Sequence, residues 1–134
     1  MRYLPVASLV LALALPGCRT AAVQTPAQTM VADRLFFGRN IPAGGTVSDV
    51  EWAQFLSAVI TPRFPKGLTI WQANGQWLDP RGVVVREPVF VVEIFHEKSD
   101  AIDASIAAIA VEYKKKFGQD AVLRATSGSQ ILFY

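Results

Sequence analysis

The sequence predicts an α+β domain in which one antiparallel sheet carries two helices on one of its faces. Two stretches show the 3.6-residue apolar period of amphipathic helices, and the apolar runs around them have the composition of strands. The segment Asp79-Pro80-Arg81-Gly82 joins two of these runs. Its Pro at the second position and Gly at the fourth favour a type I turn, and therefore a hairpin.

The first strand and the first helix have clear sequence signals. Residues 34–38 predict a strand, which a loop rich in Gly and Pro follows. Ser48 and Glu51 then match a capping box, and Pro62 ends the helix. The apolar side chains between them fall on one helical stripe: Trp52, Phe55, Leu56, Val59 and Ile60.

The central hairpin contains one conflict. Its two β segments are residues 68–78 and 83–97, and Pro88 lies inside the second, where it cannot donate to the sheet ladder. With the turn centred on Pro80-Arg81, Pro88 falls opposite Ala73. We therefore predict a β-bulge at the neighbouring Asn74-Gly75, which removes the conflict.

The second helix is predicted over residues 100–117, with Ser99 as its cap and Gly118 as its end. Its buried stripe comprises Ile102, Ile106, Ile109, Tyr113 and Phe117. Residues 121–124 and 130–134 give the last strand signals. The complete order is strand, helix, strand, strand, helix, strand, which is the ferredoxin-like βαββαβ pattern.

Two helices can cover only one face of such a sheet. The other face would carry Trp71, Val89, Val91, Glu93 and Phe95, which is an unusually apolar surface to leave in water. We expect this face to meet a second copy of the chain, as in dimeric α+β barrels, or a ligand.

The N-terminus has the features of a bacterial lipoprotein precursor. Residues 1–17 contain a positive charge, Arg2, followed by a short apolar segment, as in a secretory signal. Leu15-Pro16-Gly17-Cys18 resembles a lipobox, which implies that Cys18 is lipidated and becomes the new N-terminus. Cys18 is also the one cysteine of the chain, so it has no intramolecular disulfide partner. The alternative is an ordinary signal peptide with a cysteine nearby.

Three regions follow from this interpretation: a signal peptide at 1–17, a flexible tether at 18–32, and a single domain at 33–134. We expect an exported protein held in the membrane of the cell envelope by its lipid. By the lipoprotein sorting rule, Arg19 indicates the outer membrane, facing the periplasm, in a Gram-negative host.

The chain contains a series of distinctive short motifs: Trp52-x-x-Phe55, then Pro62-Arg63-Phe64-Pro65-x-Gly67-Leu68-Thr69, then Gly75-Gln76-Trp77, and Glu87. These motifs resemble those of domain-of-unknown-function family 3574, a group of small exported bacterial proteins. The resemblance implies a single exported domain, often lipid-anchored, and it implies no particular chemistry.

The sequence lacks the residues that most kinds of catalytic and metal-binding site require. His96 is the one histidine, and we interpret it as a surface residue near a strand end, although a functional role stays open. We expect no metal site, no cofactor and no phosphate loop. Without the signal the net charge falls from +2 to +1, which does not favour nucleic acid as a partner.

Four residues remain as binding candidates: Arg63, Trp71, Trp77 and Glu87. In the structural alternative, Arg63 and Glu87 form an ion pair that fixes the loop, and Trp77 lies at the edge of the core. In the functional alternative, the four contribute to a shared binding site.

Three functions are compatible with these observations. The first is a non-catalytic envelope lipoprotein that binds a partner or a ligand through its open sheet face. The second is a metal-independent enzyme of the dimeric α+β barrel type, acting on a small molecule in a pocket with a convergent Arg or Glu. The third is a structural component of an envelope complex.

Overall fold

The computed structural model describes residues 26–134, and in this part of the chain strands and helices alternate in the predicted order. The elements are β1 (Gln28–Gly38), α1 (Asp49–Phe55), β2 (Thr69–Leu78), β3 (Val84–His96), α2 (Asp100–Phe117) and β4 (Leu123–Ile131). A π-helical turn (Leu56–Ile60) and a 3-10 turn (Thr61–Arg63) extend α1 as far as the predicted end of the helix.

One sheet contains all four strands in the order β2-β3-β1-β4, and every neighbouring pair is antiparallel. The two central strands are therefore the first and the third along the chain. This confirms the predicted ferredoxin-like arrangement, in which each helix connects two strands that are not adjacent in the sheet.

Both helices bury their apolar stripes against the same face of the sheet. Trp52 of α1 stacks on Phe90 of β3 with ring centroids 4.3 Å apart, and Tyr113 of α2 packs edge-on against Phe37 of β1 at 4.8 Å. The fully buried side chains of this core include Leu35, Phe55, Ile60, Val92, Ile94, Ile106 and Ile109. The two helical stripes predicted from the sequence are thus the inner surface of the helix layer.

The helix ends agree with the sequence, with one difference. The Ser48 hydroxyl accepts a hydrogen bond from the Glu51 N–H, and the Glu51 carboxylate accepts one from the Ser48 N–H, which confirms the capping box. Gly118 ends α2 in the left-handed conformation, with φ of 62°. Ser99 occupies the N-cap position of α2, but its side chain makes no capping hydrogen bond.

The predicted bulge at Asn74-Gly75 is wrong. β2 and β3 pair without interruption, and Asn74, not Ala73, lies opposite Pro88. The additional residue is in the turn. Gly82 donates its N–H to the Asp79 carbonyl at 2.9 Å and has φ of 79°, as in a type I turn that continues into a Gly bulge. The strand faces are nevertheless as predicted, because one extra residue at either place shifts the register equally.

Pro88 lacks an N–H, and it is tolerated because the carbonyl oxygen that this N–H would have bonded accepts a hydrogen bond from another residue. The Pro88 carbonyl accepts the Arg39 N–H at 3.0 Å, so its missing N–H would point at the Arg39 carbonyl. That carbonyl accepts the Val47 N–H at 2.8 Å instead. The proline therefore lies where β1 has ended and the chain has turned toward α1, and no ladder bond is lost.

The domain begins earlier than predicted. β1 starts at Gln28, which pairs with Ile131 of β4, so residues 28–32 belong to the sheet and not to the tether. The small, polar composition that suggested a linker is tolerated at this end of the strand, where Gln28 and Thr29 are exposed. The signal peptide and Cys18 lie outside the described residues. Among residues 26–134 there is no helix of the length and hydropathy needed to cross a membrane.

Candidate functional site

The four residues proposed from the sequence do not form one site. Arg63, in the 3-10 turn after α1, donates to the Val59 carbonyl at 2.7 Å and pairs with Glu112 of α2 at 2.5 Å. The expected ion pair between Arg63 and Glu87 is therefore wrong. An acidic residue on the facing helix is nearer to the turn than one on the sheet, and Arg63 joins the two helices.

Trp77 and Glu87 do come together. The Trp77 indole N–H donates to Glu87 Oε1 at 3.1 Å, and the Asn40 N–H donates to Glu87 Oε2 at 3.2 Å. Gly38 makes room for this carboxylate, because a Cβ atom there would lie only 2.6 to 2.8 Å from it. Trp77 itself is 45% exposed, so it is not the edge of the core.

A depression of about 420 Å³ lies on the hairpin beside Glu87. Its lining residues are Asn74, Gly75, Gln76, Arg86, Glu87 and Pro88. All of them belong to the paired strands β2 and β3, so among residues 26–134 no helix or second loop contributes to the lining. Asn74, Gln76, Arg86 and Glu87 contribute polar side chains, and Pro88 contributes an apolar one.

Trp71 lies on the open face of the sheet, opposite Val91. Six residues separate it from Trp77 along β2, so their Cα atoms are roughly 20 Å apart. Trp71 is 38% exposed, and Phe95 and Leu123 are exposed on the same face. The exposed apolar side chains of the open face thus include Trp71, Phe95 and Leu123, whereas Val89 and Val91, which the sequence places on the same face, are buried. Trp71 belongs to this face rather than to a shared site with Trp77 and Glu87.

Charges on the open face are few and nearly balanced. Arg34 Nε and Glu93 Oε1 form an ion pair at 2.7 Å, and Arg34 lies opposite Glu93 on neighbouring strands. Glu87 adds one further negative charge near the turn end of the hairpin. The middle of this face therefore has a cation and an anion side by side within an otherwise apolar surface.

A second cluster lies on the helix side of the sheet, and it was not identified from the sequence. Asp33 of β1 is completely buried, and its carboxylate receives hydrogen bonds from Arg124, His96 and Thr126. Arg124 Nε donates to Asp33 Oδ1 at 2.8 Å and Nη2 donates to Oδ2 at 2.6 Å, which is a bidentate contact. Arg124 Nη2 also donates to Asp103 of α2 at 2.5 Å.

The hydrogen bonds determine the charge state of Asp33. Burial alone would raise the pKa of this carboxyl group, but the hydrogen bonds from Arg124, Thr126 and His96, together with the Arg124 charge, lower the pKa to about 2. Asp33 is therefore a carboxylate throughout the physiological pH range. It holds β1, β3 and β4 together at one end of the sheet, and Arg124 extends the contact to α2.

His96 is buried, so the prediction that it lies at the surface is wrong. Its Nε2 is 2.8 Å from Asp33 Oδ2, and its Nδ1 is 2.8 Å from the Glu97 carbonyl oxygen. A ring with protons on both nitrogens donates to each of these oxygens, whereas a neutral ring donates to one of them. A lone histidine near a strand end gave no sign of this role, because its acid partner is 63 residues away.

A cavity of about 290 Å³ adjoins this cluster. Its lining residues are Val31, His96, Lys98, Asp103, Arg124, Thr126, Ser127 and Gly128. They come from β1, β3, β4, α2 and the segment between β3 and α2, so several elements contribute to its lining. The sequence signals for this site were weak: an aspartate and an arginine at inward positions of strands, where apolar residues are usual. Within residues 26–134, no three His, Cys, Asp or Glu side chains are arranged to hold a metal ion.

Comparison with known proteins identifies a family and a fold. The family model described as "Protein of unknown function (DUF3574)" matches residues 32–133. A phage SAM lyase in complex with S-methyl-5'-thioadenosine has a similar fold, with a TM-score of 0.61 and 14% sequence identity over 84% of this chain and 97% of that chain. A phage SAM lyase in the apo state gives a TM-score of 0.59 at 16% identity, over 79% and 86% of the two chains. No curated protein matches the chain in sequence.

Proposed function

This chain belongs to the DUF3574 family, and on that premise we propose that it is an exported lipoprotein whose domain binds a second copy of itself through the open sheet face. The observation that supports this proposal is the apolar surface around Trp71, Phe95 and Leu123, which no helix of residues 26–134 covers. The domain then acts as a binding domain without catalysis. Its anchor is a lipid on Cys18, and its place is the cell envelope, at the periplasmic side of the outer membrane in a Gram-negative cell.

The size of the open face is sufficient for a dimer. Four strands at a spacing of about 4.8 Å, each with about eight residues at about 3.3 Å, give roughly 500 Å² in projection. Two copies would therefore bury at least roughly 1,000 Å², which is the lower bound for a specific interface.

The charges also suit a second copy. A two-fold axis places the same surface on both sides of the contact, so each cation must find an anion on an identical surface. Arg34 and Glu93 are adjacent in the middle of the face. Each Arg34 could thus exchange or share its carboxylate with the partner's Glu93, and the face has little net charge to oppose the contact.

The oligomeric state of the mature chain carrying Cys18→Ser tests this proposal, because that change removes only the site of lipidation. Light scattering during gel filtration should give a dimer for this protein and a monomer after Trp71→Glu. Val111→Glu is the control, since Val111 is also an exposed apolar residue but lies on the outer side of α2. A monomer at high micromolar concentration before any change to Trp71 contradicts the proposed dimer.

The anchor is tested separately by fractionation and mass spectrometry. The chain with Cys18 intact should appear in the membrane fraction, without residues 1–17 and with the added mass of a diacylglyceryl group, and Cys18→Ser should move the protein to the soluble fraction. With β1 starting at Gln28, nine residues separate it from Cys18, so the domain would lie within roughly 30 Å of the lipid. Membrane binding with unchanged mass in Cys18→Ser would show that the lipid is not the anchor.

A metal-independent enzyme acting on a small molecule is the second candidate. The observation in its favour is the 290 Å³ cavity beside the ion pair of Asp33 and Arg124 and the imidazole of His96. The proteins of similar fold are described as SAM lyases, so SAM is the substrate to try first. Incubation with SAM, followed by chromatography for S-methyl-5'-thioadenosine, should show product above the level of an Arg124→Ala variant if this candidate is correct.

A further inference from the structure

Arg124 has one hydrogen-bonding edge that the protein leaves unused. Its Nε and Nη2 atoms donate to Asp33, and Nη2 also donates to Asp103. Among residues 26–134, Nη1 has no hydrogen-bond acceptor. The Arg124 side chain is 30% exposed, and Arg124 lines the 290 Å³ cavity. The Asp33 carboxylate thus fixes the plane of a cationic group whose remaining edge is available at the cavity.

The cavity has a second cation, Lys98, and an open wall at Gly128, where the strand carries no side chain. Lys98 also lines it, and within the described part of the chain Lys98 forms no salt bridge. Gly128 lies on the same face of β4 as Arg124 and Thr126, and a Cβ atom at Gly128 would meet nothing within 4 Å. The space between the two cations and the strand is therefore kept free of side chains by a glycine in an ordinary strand conformation.

An anionic group faces the same cavity. Asp103 Oδ1 accepts from Arg124, whereas Asp103 Oδ2 has no donor among the described residues. The charges of Asp33 and Asp103 balance those of Arg124 and Lys98. A ligand with one negative and one positive group preserves this balance, whereas a simple anion would lie close to the free oxygen of Asp103.

We propose that this cavity binds a small zwitterion with an α-amino acid group. The ligand carboxylate lies at Arg124 Nη1 and Lys98, and the ligand ammonium group lies at Asp103 Oδ2. The volume of 290 Å³ is just below the range of about 300 to 1,000 Å³ for small-molecule pockets, which suits a ligand as small as a free amino acid. The proposal requires neither catalysis nor the open-face dimer, because the cavity is on the opposite side of the sheet.

Binding of free amino acids to the mature Cys18→Ser protein tests the proposal. Each standard protein amino acid is added singly at millimolar concentration, and binding is measured by calorimetry and by native mass spectrometry. We expect at least one to bind. For the one that binds best, the matched acid without the amino group and the matched amine without the carboxyl group should each bind at least tenfold more weakly.

Variants connect that binding to the cavity. Gly128→Val fills the open wall with a side chain that suits a strand, so it should abolish binding without loss of folding. Ala125→Val is the control, because it also places a valine on β4 but on the opposite face of the strand. Lys98→Gln should weaken binding at least fivefold, and Lys66→Gln should not change it.

Three results would overturn the proposal. The first is that no amino acid binds, and the second is that Gly128→Val or Lys98→Gln binds as the parent protein does. The third is that the matched acid binds as tightly as the amino acid, which would make the cavity a simple anion site. None of these results depends on whether the open face forms a dimer, so failure of one proposal is distinguishable from failure of the other.

Discussion

The buried carboxylate of Asp33 receives two parallel hydrogen bonds from Arg124, at 2.8 and 2.6 Å, across the pairing of β1 with β4. His96 completes the contact from β3 on the other side of β1. Three strands and, through Asp103, one helix therefore meet at a single carboxyl group. Removing only one partner of a buried ion pair strongly destabilises the folded protein, because the other charge is then left without compensation.

Asp33→Ala should lower the free energy of unfolding by about 3 to 5 kcal/mol, since Arg124 and His96 lose their common acceptor. Urea unfolding followed by circular dichroism measures this change. Glu112→Gln, which breaks the more exposed ion pair with Arg63, should cost less than about 1 kcal/mol. Equal costs for the two variants would show that the Asp33 cluster does not stabilise the fold.

The stability should fall in acid because of the same group. The pKa of Asp33 is about 2 in the folded protein, against an ordinary value of 3.8, so the unfolded chain binds the proton more tightly. This group therefore contributes about 2 kcal/mol above about pH 4, and the contribution is lost as the pH falls toward 2. Unfolding free energies measured from pH 6 to pH 2 should show a smaller decrease in Asp33→Asn than in the parent protein. Parallel curves would contradict the low pKa.

Gly38 and Glu87 should be energetically coupled. Gly38→Ala places a methyl group where the Glu87 carboxylate lies, and so breaks its contacts with Trp77 and Asn40. We expect a loss of about 1 to 3 kcal/mol in the free energy of unfolding. In a Glu87→Ala background the same change should cost less than about 1 kcal/mol, which a double-mutant cycle measures. Additive effects would show that the carboxylate does not fill the space above Gly38.

Tyr113→Phe tests the contact between α2 and the end of β1. The Tyr113 hydroxyl donates to the Gly38 carbonyl at 2.9 Å, and burial, with the nearby Glu87 charge, raises the pKa of Tyr113, so that the hydroxyl keeps its proton. Its removal leaves that carbonyl without this donor, at a cost of about 1 to 2 kcal/mol in unfolding free energy. Tyr134→Phe, at the exposed C-terminus, is the control and should have no effect.

The sequence was sufficient for the fold because helix signals and strand faces depend on neighbouring residues. The capping box at Ser48 and the stripe that ends at Phe117 are local patterns, and both are confirmed. The hairpin register was only partly predictable. An extra residue is needed to place Ile70 and Val92 on one face, and the sequence offers two glycines for it, Gly75 and Gly82. The extra residue lies in the turn, where Gly82 adopts the left-handed conformation without the steric cost that another residue would have.

The buried cluster was beyond the reach of the sequence. Asp33, His96 and Arg124 come together only when three strands pair, and their separations along the chain carry no pattern. An aspartate at the expected edge of a domain and a histidine beside Glu97 both have common surface roles. Arg63 was misassigned for a related reason, since its partner Glu112 depends on how the helices pack.

The fluorescence of the three tryptophans should report on two different regions of the molecule. Trp52 is buried and stacked on Phe90, so its fluorescence should be blue-shifted and should follow the integrity of the core. Trp71 and Trp77 are exposed on the side of the sheet opposite α1 and α2, so their emission should be red-shifted and open to aqueous quenchers. Quenching by iodide before and after self-association can therefore distinguish protection of that side from a change in folding, without any added label.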